Sequence, residues 1–122
     1  MNMGFTDVFK DSVNWSSEEL VALYKILVIQ SAVDGELSKD EAEVTALIMS
    51  QLKDMDVASM KALITRANGM SSEECLRVLK NMHVDKRTAA FGYLILVGAA
   101  DGDFDDNEAA FSVLVAKVLG VA

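Results

Sequence analysis

Four capping-box motifs start helices along a chain that contains no proline. In this motif a Ser or Asp side chain accepts a hydrogen bond from the backbone N–H three residues on, and a Glu at that position bonds back. The four pairs are Ser16 with Glu19, Ser38 with Glu41, Ser71 with Glu74, and Asp105 with Glu108. Because the strongest helix breaker is absent and no alternating run favours a strand, the sequence predicts an all-α fold.

Helical periodicity extends these starts to about seven helices, at residues 4–11, 17–33, 39–53, 57–67, 72–83, 86–100 and 106–119. Residues 20–33 and 89–100 are apolar nearly all round, which predicts two central helices in a compact bundle. One apolar face is predicted on residues 39–53, formed by Val44, Leu47, Ile48, Gln51 and Leu52. We expect four residues to be among the most buried, namely Leu27, Leu94, Ile95 and Leu114.

The length and composition fit one globular domain over residues 1–122. A hydrophobic content of 52% is high enough to offset the entropy of ordering, which argues against intrinsic disorder. The longest uncharged stretch is residues 88–100, which are 13 in number. They are too few to cross a membrane, because a spanning helix needs roughly 20 residues. The amino terminus lacks the pattern of a secretory signal. We therefore expect a cytoplasmic protein that does not insert into membranes.

Charge and reactive side chains exclude several functions. A net charge of −8 and the lack of any Lys/Arg cluster beyond Lys86-Arg87 argue against nucleic acid as a partner. One cysteine, Cys75, and one histidine, His83, exclude a zinc site built from several such ligands. Structural roles are expected for both: Cys75 as a small buried hydrophobe and His83 as a helix-end imidazole. The expected partner is another protein.

An internal repeat is visible when residues 24–52 are laid on residues 91–119, an offset of 67 positions. Asp34-Gly35 then falls on Asp101-Gly102, and Glu41 falls on Glu108. Each half reads as a buried helix, an acidic turn and an amphipathic helix. We expect two helical hairpins related by a pseudo-two-fold axis, with the acidic turns either near each other or at opposite ends.

The acidic turns DGELSKDE (34–41) and DGDFDDNE (101–108) read like the back half of an EF-hand loop. The front half is missing, because its first position is Gln30 in one copy and Val97 in the other, so a standard EF-hand is rejected. Carboxylate oxygens suit Ca²⁺ or Mg²⁺, and the 101–108 turn carries more of them. Helix punctuation is the other interpretation and explains most of the pattern. Gly35 and Gly102 can end helices in the left-handed conformation, and acidic side chains complement the start of the following helix.

The two turns, AVDGELSKDE and AADGDFDDNE, resemble those of the TerB-like domains of the tellurite-resistance group. Related domains form the N-terminal module of membrane-anchored DnaJ-like proteins, but no J-domain follows here. The resemblance implies about seven helices in a pseudo-symmetric arrangement. It also implies acidic metal ligands at Asp34, Glu41, Asp101, Asp103, Asp105 and Glu108. Gln30, Ser38 and Lys39 depart from a fully acidic pattern.

The sequence therefore favours a non-enzymatic cytoplasmic module for interaction or sensing, with a divalent cation at its acidic turns. Two alternatives stay open. The first is a metal-free structural adaptor, and the second is an enzyme that holds Mg²⁺ for phosphoryl chemistry. We expect Lys86 and Arg87 to be solvated surface charges, and a salt bridge to the acidic surface is the alternative.

Overall fold

The structure, a computed structural model, describes residues 15–32, 39–100, 102 and 105–121. These residues form six α-helices and no strand. The helices are α1 (Ser17–Ala32), α2 (Lys39–Leu52), α3 (Val57–Gly69), α4 (Ser72–Lys80), α5 (Val84–Gly98) and α6 (Asp106–Leu119). The predicted all-α bundle is confirmed, and the helix predicted at 4–11 lies outside the described residues.

Capping hydrogen bonds form at three of the four predicted starts. At α1, Ser16 N donates to Glu19 Oε1 over 2.9 Å, and Glu19 N donates to Ser16 Oγ over 3.2 Å. At α4, Glu74 N donates to Ser71 Oγ. The box at α6 is described with the site below, and Ser38 lies outside the described residues. Two further N-caps were not predicted, namely Asp56 at the start of α3 and His83 at the start of α5.

The central element is α1, which packs against α2, α3, α4, α5 and α6. Its residues Leu20, Leu23 and Leu27 are all but inaccessible to solvent. The second predicted central helix, α5, contacts α1, α2 and α6 and buries Leu94 completely. It is less enclosed than predicted, since Leu96 on its other face is 56% exposed.

Two of the four core expectations are confirmed and two need correction. Leu27 and Leu94 are fully buried. Ile95 is only partly buried, and Leu114 is 57% exposed. The prediction for Leu114 was wrong because α6 turns its stripe of Glu108, Ser112, Val115, Ala116 and Leu119 inward. Leu114 stands on the other side of that stripe.

The same correction applies to α2, whose inward residues are Glu41, Thr45, Ile48 and Met49. Leu47 and Gln51 were predicted on the apolar face, yet both are exposed, and Leu47 is 57% exposed like Leu114. The prediction assumed that a helix turns its polar side chains outward. In α2 a carboxylate and a hydroxyl face the interior instead, which rotates the buried face away from Leu47 and Gln51.

Candidate cation site at the paired helix starts

The site is built on the third residue of two helices. Glu41 is the third residue of α2, and Glu108 is the third residue of α6. At α6, Glu108 N donates to Asp105 Oδ1 over 2.8 Å, and Asp105 N donates to Glu108 Oε1 over 3.3 Å. This complete capping box holds the Glu108 carboxyl group at the helix start, so only its second oxygen is left to face other groups.

Glu41 and Glu108 bring the two halves of the sequence together. Both residues are 2% exposed, and their carboxyl groups are close neighbours. Burial, together with the neighbouring carboxyl groups of Glu41 and Asp105, raises the pKa of Glu108 to about 7. The bond from the Asp105 backbone acts in the opposite direction and is outweighed. At this contact the two predicted helix starts therefore lie near each other rather than at opposite ends.

All the buried polar residues of the described chain lie at these helix starts or on the helix turns beside them. They are Gln30 and Ser31 in the last turn of α1, Glu41 and Thr45 in α2, and Glu108 and Ser112 in α6. Thr45 and Ser112 each follow their glutamate by one helical turn, at matched positions of the repeat. We call these six residues the polar layer. It was not predicted, although hydroxyl residues at matched positions of the two repeats could have indicated it.

This polar layer contains more hydrogen-bond acceptors than donors. Gln30 Nε2 donates to Ser112 Oγ over 2.9 Å and weakly to the Leu94 carbonyl oxygen over 3.5 Å. The hydroxyl groups of Ser31 and Thr45 donate to carbonyl oxygens of their own helices. Two buried oxygens, Gln30 Oε1 and Glu108 Oε2, accept no hydrogen bond from the described residues. Buried acceptors of this kind need a proton, a water molecule or a cation.

The structure describes three of the six predicted ligands. Glu41 and Glu108 meet, while Asp105 serves as the N-cap of α6. Asp34, Asp101 and Asp103 lie outside the described residues. Between the last two, Gly102 has the left-handed φ of 81° that was predicted, but it does not end the helix, because the C-cap of α5 is Ala99. Within the described part of the chain, no three His, Cys, Asp or Glu residues form a metal-binding group.

The other candidate residues have structural roles. His83 Nδ1 accepts a hydrogen bond from Asp85 N over 3.1 Å, so the imidazole caps the start of α5 and does not lie at a helix C-terminus. Cys75 is fully buried, as predicted, and its thiol donates to the Ala22 carbonyl oxygen over 3.2 Å. Burial raises the pKa of this thiol to about 12, which makes it a poor nucleophile.

The prediction that Lys86 and Arg87 are solvated was wrong, and the alternative of a salt bridge to an acidic side chain is confirmed for Lys86. Lys86 Nζ lies 2.8 Å from Glu19 Oε1, and both side chains are less than one-fifth exposed. Arg87 Nη1 donates to the Leu119 carbonyl oxygen over 2.7 Å, where α6 ends in the left-handed Gly120. Lys86 thus connects α5 to the start of α1, and Arg87 connects α5 to the end of α6.

A family model described as "Tellurite resistance protein TerB" matches residues 20–122. The chain belongs to the TerB family. The match includes both acidic turns, so the resemblance read from those turns is confirmed. No curated protein matches this TerB-family chain.

The fold recurs in a crystal structure of a protein of unknown function from Porphyromonas gingivalis W83. The superposition has a TM-score of 0.77 and covers 89% of this TerB-family chain and 82% of the other. Sequence identity is 22%, so the comparison establishes the shared fold alone. Among the described residues, no helix has the length and apolar character needed to cross a membrane.

Proposed function

We propose that this TerB-family chain is a non-enzymatic cytoplasmic module that binds a divalent cation, Ca²⁺ or Mg²⁺, and presents a helical surface to a protein partner. The observation that supports a cation is the buried Glu41–Glu108 pair, in which two carboxyl groups share one contact. In the proposed site, Asp34, Asp101 and Asp103 supply further oxygens from the adjoining turns. In this proposal both turns share one ion.

The side chains present fit a hard cation. Ca²⁺ and Mg²⁺ prefer carboxylate, amide and carbonyl oxygens. Glu108 Oε2 and Gln30 Oε1 are buried oxygens of the first two types, and both lack a described hydrogen-bond donor. Two ionised glutamates would also bring two negative charges into a site with little solvent. A divalent cation supplies the positive charge that balances them.

The carboxyl pair is linked through α2 to an apolar cavity. Directly after Glu41, α2 contributes Ala42, Thr45 and Ala46 to the wall of a cavity of about 250 Å³. The remaining wall is apolar or aromatic and comes from α1 and α3, with Tyr24, Val28, Met60 and Ile64. A change at the carboxyl pair that moves the first turn of α2 would also change the shape of this cavity. Glu41 would thereby couple the cation site to a partner surface.

The test is a titration of the chelator-treated protein with Ca²⁺ and with Mg²⁺, followed by calorimetry and by the melting temperature. We expect one ion per chain and a raised melting temperature. Glu41→Gln and Glu108→Gln should each remove both effects, since a glutamine retains the shape and, at α6, the capping bond. Glu74→Gln is the matched control, because Glu74 is the exposed third residue of α4.

A metal-free adaptor is the second candidate, and one observation favours it. With a pKa of about 7, Glu108 holds a proton in much of the protein near neutral pH, and that proton can bridge to Glu41. In that case neither cation should bind at millimolar concentration. Glu108→Gln should then mimic the protonated pair and stabilise the fold at high pH.

A further inference from the structure

The last helix, α6, carries a narrow stripe of exposed side chains along its outer face. Asp106, Ala110, Val113 and Lys117 are all exposed, and Val113 is 55% exposed. Their spacing of four, three and four residues places them on one side of the helix, as in the contact seam of a helix pair. We call these four residues the α6 stripe. The helix dipole accounts for an acid at its start and a base at its end, but it does not account for the exposed apolar residues between them.

The surroundings of the α6 stripe add little charge to it. Leu114 borders the stripe and is 57% exposed, whereas Glu108 belongs to the buried side of the helix. The neighbouring helix α5 has no charged residue from position 88 to its end. The helix α4, which also packs against α6, carries two acidic and two basic residues and so adds no net charge. Asp105, the N-cap, adds negative charge at the end of the stripe that already holds Asp106.

The corresponding stripe in the first half of the repeat is different. At an offset of 67 positions, α2 carries Lys39, Glu43, Ala46 and Ser50, all of which are exposed. A second helix laid on that face would cover the Glu43 carboxylate, which is costly without a partner charge. The α6 stripe has no charge in its middle. Its apolar centre is therefore a property of α6 and does not follow from the repeated architecture.

The α6 stripe is complementary to itself when it is turned end over end. Asp106 and Lys117 are equally far from its midpoint, and so are Ala110 and Val113. A two-fold axis through that midpoint would pair two α6 helices in antiparallel orientation. Asp106 of each copy would then face Lys117 of the other, and the small Ala110 would face the branched Val113. A parallel pair would instead oppose like charges at both ends, which is unfavourable.

We propose that two copies of this chain associate through the α6 stripe as an antiparallel, two-fold symmetric pair, with Asp106 of each copy beside Lys117 of the other. A net charge of −8 makes two copies repel in general, but the charges of the stripe itself cancel, so the copies approach most readily here. One helix from each copy makes a small interface, and the dimer is therefore weak and depends on protein concentration. Leu114 lies at the rim, where truncation has little effect on association. Because Glu108 is on the buried side of α6, association and cation binding are separate properties.

The first test is sedimentation equilibrium of the full chain in the presence of a chelator, over a range of protein concentrations. We expect a monomer–dimer equilibrium with a dissociation constant on the order of 10–100 µM, as for other small interfaces. Val113→Asp should weaken the dimer by roughly tenfold or more, because it places a carboxylate against an apolar side chain. Leu47→Asp, on the 57% exposed leucine of α2, adds the same charge and should leave the dimer unchanged. A chain that stays monomeric at about 1 mM, or a dimer that is insensitive to Val113→Asp, overturns the proposal.

Charge reversal tests the orientation of the two helices. Asp106→Lys and Lys117→Asp should each be monomeric at concentrations where the unaltered protein is a dimer, because each change opposes like charges at both ends of the pair. Mixed in equal amounts, the two variants should form a heterodimer, since both ends then join opposite charges again. Lys61→Asp, on an exposed lysine of α3, matches Lys117→Asp in charge and should dimerise like the unaltered protein. If the mixture yields no heterodimer, or if either single variant dimerises normally, the antiparallel pairing through α6 is wrong.

Discussion

The ammonium group of Lys86 lies 2.8 Å from the carboxylate of Glu19, and 67 positions separate these residues. Glu41 and Glu108 are in contact over the same separation. Residues that contact their own counterparts are expected when a pseudo-two-fold axis passes between the halves. The Glu41–Glu108 contact lies within the predicted repeat, and the Lys86–Glu19 contact has the same offset just before the aligned ranges. Symmetry of the backbones themselves stays a prediction.

Removing the Lys86–Glu19 ion pair should destabilise the protein. Burial tends to raise the pKa of Glu19, but bonds from Lys86 and Ser16 lower it overall. The stabilisation is therefore present above the ordinary glutamate pKa and is lost as pH falls through the folded value. A double-mutant cycle with Glu19→Gln and Lys86→Met should give a coupling of about 1–3 kcal/mol in urea unfolding at pH 7. A coupling near zero would show that the contact contributes no stability.

Two leucines on adjacent helices should respond very differently to truncation. Leu94 is fully buried. Leu94→Ala should therefore lower the free energy of unfolding by about 2–5 kcal/mol, because the change leaves a cavity. Leu114 is 57% exposed, and Leu114→Ala should stay within the range of a surface substitution, about 0.5 kcal/mol. Denaturant unfolding of both variants measures the difference. Equal losses would contradict the orientation of α6.

The Cys75 thiol should be protected in the folded protein. Its pKa is raised to about 12 by burial, and it is fully inaccessible, so no reactive thiolate is presented at pH 8. Alkylation should be undetectable in native buffer and rapid in denaturing urea. As the denaturant rises, the labelling rate should follow the unfolded fraction. Rapid labelling without denaturant would contradict the packing of α4 against α1.

Glu108 should make stability fall as pH rises. Its pKa is raised from the ordinary 4.5 to about 7, so the folded state binds more protons than the unfolded state between these values. The stabilisation that Glu108 contributes is fully present below its ordinary pKa and is lost as pH rises through its pKa in the folded protein. In the presence of a chelator, Glu108→Gln should flatten this part of the curve by on the order of 1–3 kcal/mol. Glu41 and Asp105, which face Glu108, are present in both the unaltered protein and the Glu108→Gln variant.

Local signals made much of the fold predictable. Caps such as Ser16–Glu19 and Asp105–Glu108 placed helix starts within a residue, because their hydrogen bonds depend only on near neighbours. Periodicity alone misplaced Leu47 and Leu114, because it assumes that polar side chains face solvent. That assumption fails where two helix starts meet in the interior, and only tertiary structure reveals such a meeting.

The site was predictable in its members but not in its geometry. The matched acidic turns identified Glu41 and Glu108, yet no sequence spacing indicates that two residues so far apart in the chain share one contact. Gln30 was noted only as a departure from an acidic pattern. Its neutral amide donates to Ser112 while one oxygen stays without a described donor, an arrangement that an ionised aspartate, which only accepts, could not make.

The last prediction separates a shared cation from one held by a single turn. The 101–108 turn carries more carboxylates than the 34–41 turn, which predicts stronger engagement of the second turn. At a hundred times its dissociation constant, a cation should add about 2.7 kcal/mol to the stability of the unaltered protein. Asp101→Asn with Glu108→Gln should abolish that increment. If the ion is shared through the Glu41–Glu108 pair, the double variant Asp34→Asn with Glu41→Gln should also bind the cation much more weakly than the unaltered protein. Its loss of affinity should be smaller than that of the first double variant. If the second double variant binds as tightly as the unaltered protein, the cation belongs to the 101–108 turn alone and the shared site is wrong.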